Sequence, residues 1–251
     1  MISARSLIII GALLLSGCVT TQEGNLANKD EAARLNLELG LGYLRQGDYE
    51  EARIKLDKSI KAKYDNATAH RALGLVYERM SDNKGAEKQY RIAVSQAPDD
   101  ADAINQLAAF LCGQGKQAEA LKLFDQALTI PLYQTRYLLL TNAGTCAKSS
   151  DLPRAENYLR QALAQKPDYP AALLQMGEIN YMKENYIQAR AFVTRYLDTA
   201  PPDSLALWLG YRVEMAMKDF AAADEYASML LKRFPESAEA SLLQEQRRNA
   251  G

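Results

Sequence analysis

A single histidine, His70, is all that the 251 residues offer to imidazole chemistry, the commonest source of a general acid or base near neutral pH. Cysteine is nearly as scarce, with three in the chain, and neither a His–Cys pairing nor a cluster at metal-ligand spacing occurs. A glycine-rich phosphate loop is missing too. These absences exclude the familiar hydrolases, metalloenzymes and nucleotide-binding enzymes, and they predict no catalytic residue, no metal, no cofactor and no small-molecule substrate. Positive charge is not in excess. Thirty basic residues face 31 acidic ones, mixed along the whole chain, so the clustered lysines and arginines of a nucleic-acid surface are lacking. Long apolar runs are absent as well, because the longest, Leu7 to Leu15, is too short to span a bilayer.

That short run has a different reading. Met1 to Ser6 carries one charge, Arg5, and the run closes on Leu15-Ser16-Gly17-Cys18, which resembles the bacterial lipobox. Small residues there admit the peptidase, and the cysteine thiol takes a diacylglycerol before cleavage. Residues 1–17 are therefore expected to be a lipoprotein signal peptide and Cys18 the lipidated first residue of the mature chain. More than one acyl chain holds a protein to a membrane far better than the marginal single chain. Val19, in place of an aspartate after Cys18, favours the outer membrane, with the body facing the periplasm. Residues 18–32 are polar and without periodicity, and they read as a flexible tether. Without residues 1–17 the charges become 29 basic and 31 acidic.

The remainder, 33–251, repeats itself. Ala52, Ala86, Ala120, Ala155, Ala189 and Ala222 are spaced by 34, 34, 35, 34 and 33 residues, and each is followed four places on by Leu56, Tyr90, Phe124, Leu159, Val193 and Tyr226. Twelve places before most of them stand small residues: Gly40, Gly74, Ala108, Ala143, Gly177 and Gly210. Pro98, Pro167, Pro201 and Pro235 lie near the repeat ends. This pattern resembles the tetratricopeptide repeat (TPR), in which two antiparallel helices meet at small residues and large ones fill the space beside them. It implies an all-α superhelix with repeats at about 33–66, 67–100, 101–134, 136–169, 170–202 and 203–236, closed by a polar capping helix over 237–251. Repeat four departs from the pattern, since Gly144 comes one place late and Asn142 replaces the usual leucine, so a register shift or a short turn at Ser149-Ser150-Asp151 is expected. His70 falls at a packing position of repeat two.

Cys112 and Cys146 lie in the first helices of neighbouring repeats, 34 residues apart, and equivalent positions of stacked repeats are neighbours in space. In an oxidising periplasm this predicts a disulfide, provided that the two face each other. Two small buried thiols are the alternative. The positions that point into the groove of TPR proteins are Leu37, Leu41 and Leu44 in repeat one and Arg71, Leu75 and Glu78 in repeat two. An apolar patch with a charged border suits a partner segment with one greasy face, held by burial at roughly 25 cal/mol per Å².

More local runs resemble the type IV pilus biogenesis and stability lipoproteins of the PilF/PilW pilotin family. They are Leu39-Gly40-Leu41-Gly42-Tyr43-Leu44, Phe110-Leu111-Cys112 with Gly115, Pro131-Leu132-Tyr133, and Asn142-Ala143-Gly144 with Cys146. At Ile104-Asn105-Gln106-Leu107-Ala108 the family's Asn-Asn-aromatic-Gly run is reduced to Asn105, a further candidate for partner contact. The resemblance implies an outer-membrane lipoprotein that binds the secretin subunit of the type IV pilus and promotes its localisation and multimerisation. A different outer-membrane TPR scaffold, for barrel assembly or polysaccharide export, is the alternative.

Overall fold

A computed structural model describes residues 20–62, 66–131 and 134–250. Among these residues there are thirteen α-helices and no strand. Helices α1 (Thr20–Gln46) and α2 (Tyr49–Lys61) form the first pair, followed by α3 (Ala67–Arg79) with α4 (Asn83–Gln96) and α5 (Ala101–Gly113) with α6 (Gln117–Leu128). Next come α7 (Arg136–Ala147) with α8 (Leu152–Gln165), α9 (Pro170–Met182) with α10 (Tyr186–Thr199), and α11 (Ser204–Met217) with α12 (Phe220–Arg233). Helix α13 (Ala238–Ala250) is left over. Each helix packs on its chain neighbours, and each first helix also touches the first helix of the next pair, so the architecture is a TPR superhelix.

Local chemistry starts and stops these helices. Asp48, Asp82, Asp151 and Asp219 each accept a hydrogen bond from the backbone N–H three residues on, at the head of α2, α4, α8 and α12. Such a cap stabilises a helix by about 1 kcal/mol. One residue before the second-helix cap the backbone is left-handed at Gly47, Ser81, Gly115, Glu184 and Lys218. Glycine meets this requirement freely, whereas the other three carry a steric cost. Repeat four alone turns otherwise, with right-handed Lys148 closing α7 and no left-handed residue before Asp151. Pro98, Pro167, Pro201 and Pro235 each follow a helix end by two residues, where a ring that cannot continue the helix costs nothing.

The caps also set the register. Four residues past each second-helix cap lies a buried alanine: Ala52, Ala86, Ala120, Ala155, Ala189 and Ala223. Ala223 therefore takes the place given above to Ala222, which is half-buried. Three consecutive alanines, 221–223, made the spacing ambiguous. Tyr226 nevertheless fills the notch of Gly210, since a Cβ there would stand 2.6 Å from its ring. In repeat four it is Gly144, not Ala143, whose missing Cβ makes room for Leu159.

Within the segment expected to be a tether, residues from Thr20 onward are helical and continuous with the first helix of repeat one, and residues 18–19 lie outside the described residues. No proline interrupts the helix, and alanine, glutamate and lysine there are good helix formers. At the other end, Ser237 caps α13, whose Ala240 and Leu243 join Leu207, Tyr211, Ala227 and Leu230 in a buried cluster. Gln244 to Arg248 remain exposed.

Candidate functional site

The groove residues expected in repeats one and two do not form one open surface. Leu37 is 8% exposed and belongs to a core with Ala52, Leu56, Ala69, Leu73 and Val76, so it is not available to a partner. Helix α1 turns this side chain down between α2 and α3, where the apolar space is. Leu41, Leu44 and Leu75 are half-buried and keep one side outward. Arg71 stands 3.9 Å from the Asp102 carboxylate, across the junction between repeats two and three. Glu78 is exposed and accepts a hydrogen bond of 2.7 Å from the Tyr90 hydroxyl. Burial first, and then that bond, push the Tyr90 phenol well above its usual range.

Apolar surface missed by the sequence reading lies on the face of α1 opposite Leu37, Leu41 and Leu44. Leu35 and Leu39 are 45% and 48% exposed and, with Glu38, Gly42, Tyr43 and Gln46, line a cleft of about 390 Å³. In a middle repeat this stripe would be covered by the preceding helix pair. Repeat one has none among the described residues, so its stacking face stands open. Their four-residue spacing, together with the first position in the array, was the signal available in the sequence.

The layer of first helices is stitched by polar and covalent links between neighbours. Arg71 reaches from α3 to Asp102 of α5, and the Asn142 amide of α7 donates to Asn105 Oδ1 of α5 at 3.0 Å. Asn105 is buried, so its role is to join repeats three and four. Cys112 and Cys146 are disulfide-bonded between the same two helices, with Cα atoms 5.8 Å apart. Farther along, Lys148 of α7 donates to Gln175 and Glu178 of α9. The second helices carry their own row, including Arg91 with Glu119, Lys116 with Glu87 and Arg154 with Asp125, and Lys183 at the end of α9 reaches back to Glu156 of α8. Most of these are exposed pairs worth little each, so their contribution is to fix the geometry between repeats.

His70 is buried, with Nδ1 2.6 Å from Gln89 Oε1. Among the described residues no three His, Cys, Asp or Glu side chains gather as a metal site, and no helix is long and apolar enough to cross a membrane. Cys18, residues 1–17, Leu132 and Tyr133 lie outside the described residues.

Three tetratricopeptide-repeat models match the chain, over residues 37–101, 101–130 and 147–209. The type IV pilus assembly protein PilF of Pseudomonas aeruginosa is 28% identical over 239 residues, covering 93% of this chain and 95% of that protein. The crystal structure of PilW, described as a widely conserved type IV pilus biogenesis factor, superposes with a TM-score of 0.78 at 28% identity, over 84% of this chain and 98% of that one. The solved structure of Pseudomonas aeruginosa PilF gives a TM-score of 0.75 at 27% identity, over 87% and 99%. With repeat models along most of its length and these two proteins matched almost end to end, the chain belongs to the tetratricopeptide-repeat family as a PilF/PilW-like member.

Proposed function

We propose that this protein is a pilotin of type IV pilus biogenesis. It is held to the outer membrane by lipid on Cys18, faces the periplasm, and captures a secretin subunit so that the subunit reaches the membrane and multimerises. The observation that carries this reading is the likeness to PilF over 93% of the chain, since a match of that extent spans every repeat and not the repeat motif alone. The protein acts by binding, without catalysis. An anchor at Cys18 keeps a captured subunit at high local concentration beside the membrane. Helix α1 carries exposed Leu35 and Leu39 close in sequence to that anchor, on the face turned away from Leu41 and Leu44. This surface is the docking site for an apolar segment of the subunit.

Two variants in cells test the proposal. Replacing Leu35 and Leu39 by serine leaves the fold and membrane attachment intact but abolishes capture of the secretin and assembly of its multimer. Replacing Cys18 by alanine releases the protein from the outer membrane while the secretin remains bound to it. Normal secretin multimers in the complete absence of the protein, with barrel-assembly or polysaccharide-export components captured instead, would replace this reading by the other scaffold.

A further inference from the structure

The turns inside repeats five and six differ from those of the earlier repeats. Glu184 and Lys218 hold the left-handed backbone position that uncharged Gly47, Ser81 and Gly115 take in repeats one to three. Each of the two turns carries one cation and one anion, Lys183-Glu184 and Lys218-Asp219. One charge of each turn is engaged within the chain, Lys183 by Glu156 and Asp219 by Arg190. Glu184 and Lys218 are exposed, and neither makes an ion pair or a side-chain hydrogen bond among the described residues. One repeat apart, equivalent positions thus present a free negative and a free positive charge.

Apolar surface lies beside them. Ile187, the second residue of α10, is 73% exposed, and Phe220, the first residue of α12, is 59% exposed. In repeats one to four the place of Ile187 is taken by Glu50, Lys84, Ala118 and Pro153, so the patch belongs to the end of the array. Half-buried Tyr186 and Met217 line, together with Glu184, Ile187 and Gln188, a cleft of about 460 Å³. Side chains of this size leave apolar area in water until something covers it. The patch is four repeats away from Leu35 and Leu39.

We infer that this edge is covered by a second copy of the chain, docked about a two-fold axis that runs between the turns of repeats five and six. A two-fold axis sets one patch against itself, so every contact of one residue with another is repeated in reverse. Glu184 and Lys218 meet that demand: Glu184 faces the partner's Lys218 while Lys218 faces the partner's Glu184. Ile187, Met217 and Phe220 close against their own counterparts between the two ion pairs. Burial of these side chains supplies the attraction, and the exposed ion pairs, worth little as energy, fix the register. A partner of single charge sign would satisfy one of the two groups and oppose the other, and an anionic lipid surface would repel Glu184. The patch is small beside the roughly 20–30 residues a side of a standard interface, so the dimer is reversible and depends on concentration. It leaves Leu35 and Leu39 open and does not depend on secretin capture.

Crosslinking in intact cells tests this on the full-length protein. Cys112 and Cys146 are bonded to each other, so Gln188→Cys places a reactive thiol on the patch, and Ser95→Cys places an equally exposed one on α4 as a control. A bismaleimide should link two copies through the first position and not through the second, with the parent chain accounting for Cys18. Glu184→Lys sets lysine against lysine twice across the axis, and Lys218→Glu sets glutamate against glutamate twice. Each alone should reduce the linked dimer severalfold, and the two together should restore it. Sedimentation of the purified protein in detergent should show a dimer whose dissociation constant rises about tenfold or more when Ile187 and Phe220 are replaced by serine. If the serine variant fails to fold, the charge reversals on exposed turns carry the test, with helical circular dichroism as their control. Equal linking at both positions, no rescue by the paired reversal, a linked product containing a different protein, or loss of binding to phosphatidylglycerol vesicles by patch variants of a monomer would each overturn the inference. Normal secretin multimers alongside such a failure leave the proposed function standing.

Discussion

Replacing Gly74 by alanine sets two effects of opposite sign against each other. Gly74 sits inside α3, and alanine there improves helix stability by roughly 0.5–1 kcal/mol. The added methyl, however, would lie 2.7 Å from Cδ1, 2.8 Å from Cε1 and 3.0 Å from Cγ of Tyr90. Favourable carbon contacts begin at about 3.5 Å. Tyr90 has nowhere to retreat, being 2% exposed, tied through its hydroxyl to Glu78 at 2.7 Å and tilted against the Phe110 ring at 5.5 Å. Overpacking a filled core costs about 1–3 kcal/mol. The packing cost wins, and the variant is less stable by about 1–2 kcal/mol, or roughly 2–8 °C in melting temperature for a chain of this size. With Tyr90 replaced by alanine the obstacle is gone, and the same Gly74→Ala change should stabilise by about 0.5–1 kcal/mol. Thermal and urea melts of the four proteins, followed by helical circular dichroism, close the double-mutant cycle. A higher melting temperature for the single variant, or a coupling energy near zero, would refute the idea that the missing Cβ exists to admit this ring.

Replacing Cys112 and Cys146 by serine should destabilise by about 4 kcal/mol in the chain-entropy description, because their bond closes a loop of 34 residues. Thiol labelling of unreduced, denatured protein should find neither residue, and two reactive thiols in material from the periplasm would contradict the bond. Hydrogen bonds from Lys116 and then Arg91 hold the Glu87 carboxyl below its ordinary range, as do Lys183 and then Arg160 for Glu156. Their folded pKa values lie below the unfolded one, so the stabilisation is complete above pH 4.5 and is lost as pH falls through the folded values. Glu87→Gln with Glu156→Gln should therefore flatten the decline of melting temperature below pH 4.5, and an unchanged acid slope would rule out this source.

Much of the architecture was written along the chain. A 34-residue period of alanines and bulky partners can be satisfied only by stacking equal helix pairs, and prolines placed two residues past helix ends mark where the helices stop. The disulfide was legible for the same reason, since one period separates two residues that stacking brings together. Spacing failed where composition was degenerate. Among Ala221, Ala222 and Ala223 no pattern of types selects the buried one, and the Asp219 cap, through backbone hydrogen bonding, decides for Ala223.

The binding surface was less legible, because apolar character does not say what covers it. Leu35, Leu37, Leu39 and Leu41 share one helix, and only the placement of α2 and α3 buries Leu37 while leaving Leu35 and Leu39 open. Polar groups pose the same difficulty. Asn105 spends its amide oxygen on Asn142, whereas Arg212, beside the Tyr181 and Trp208 rings, keeps its Nε buried without an acceptor. Periodicity is a local property that every repeat carries within itself, while exposure and pairing depend on the neighbour that stacks against it. The sequence alone therefore determined the repeat and its family, and the tertiary structure decided which side chains remain free to bind.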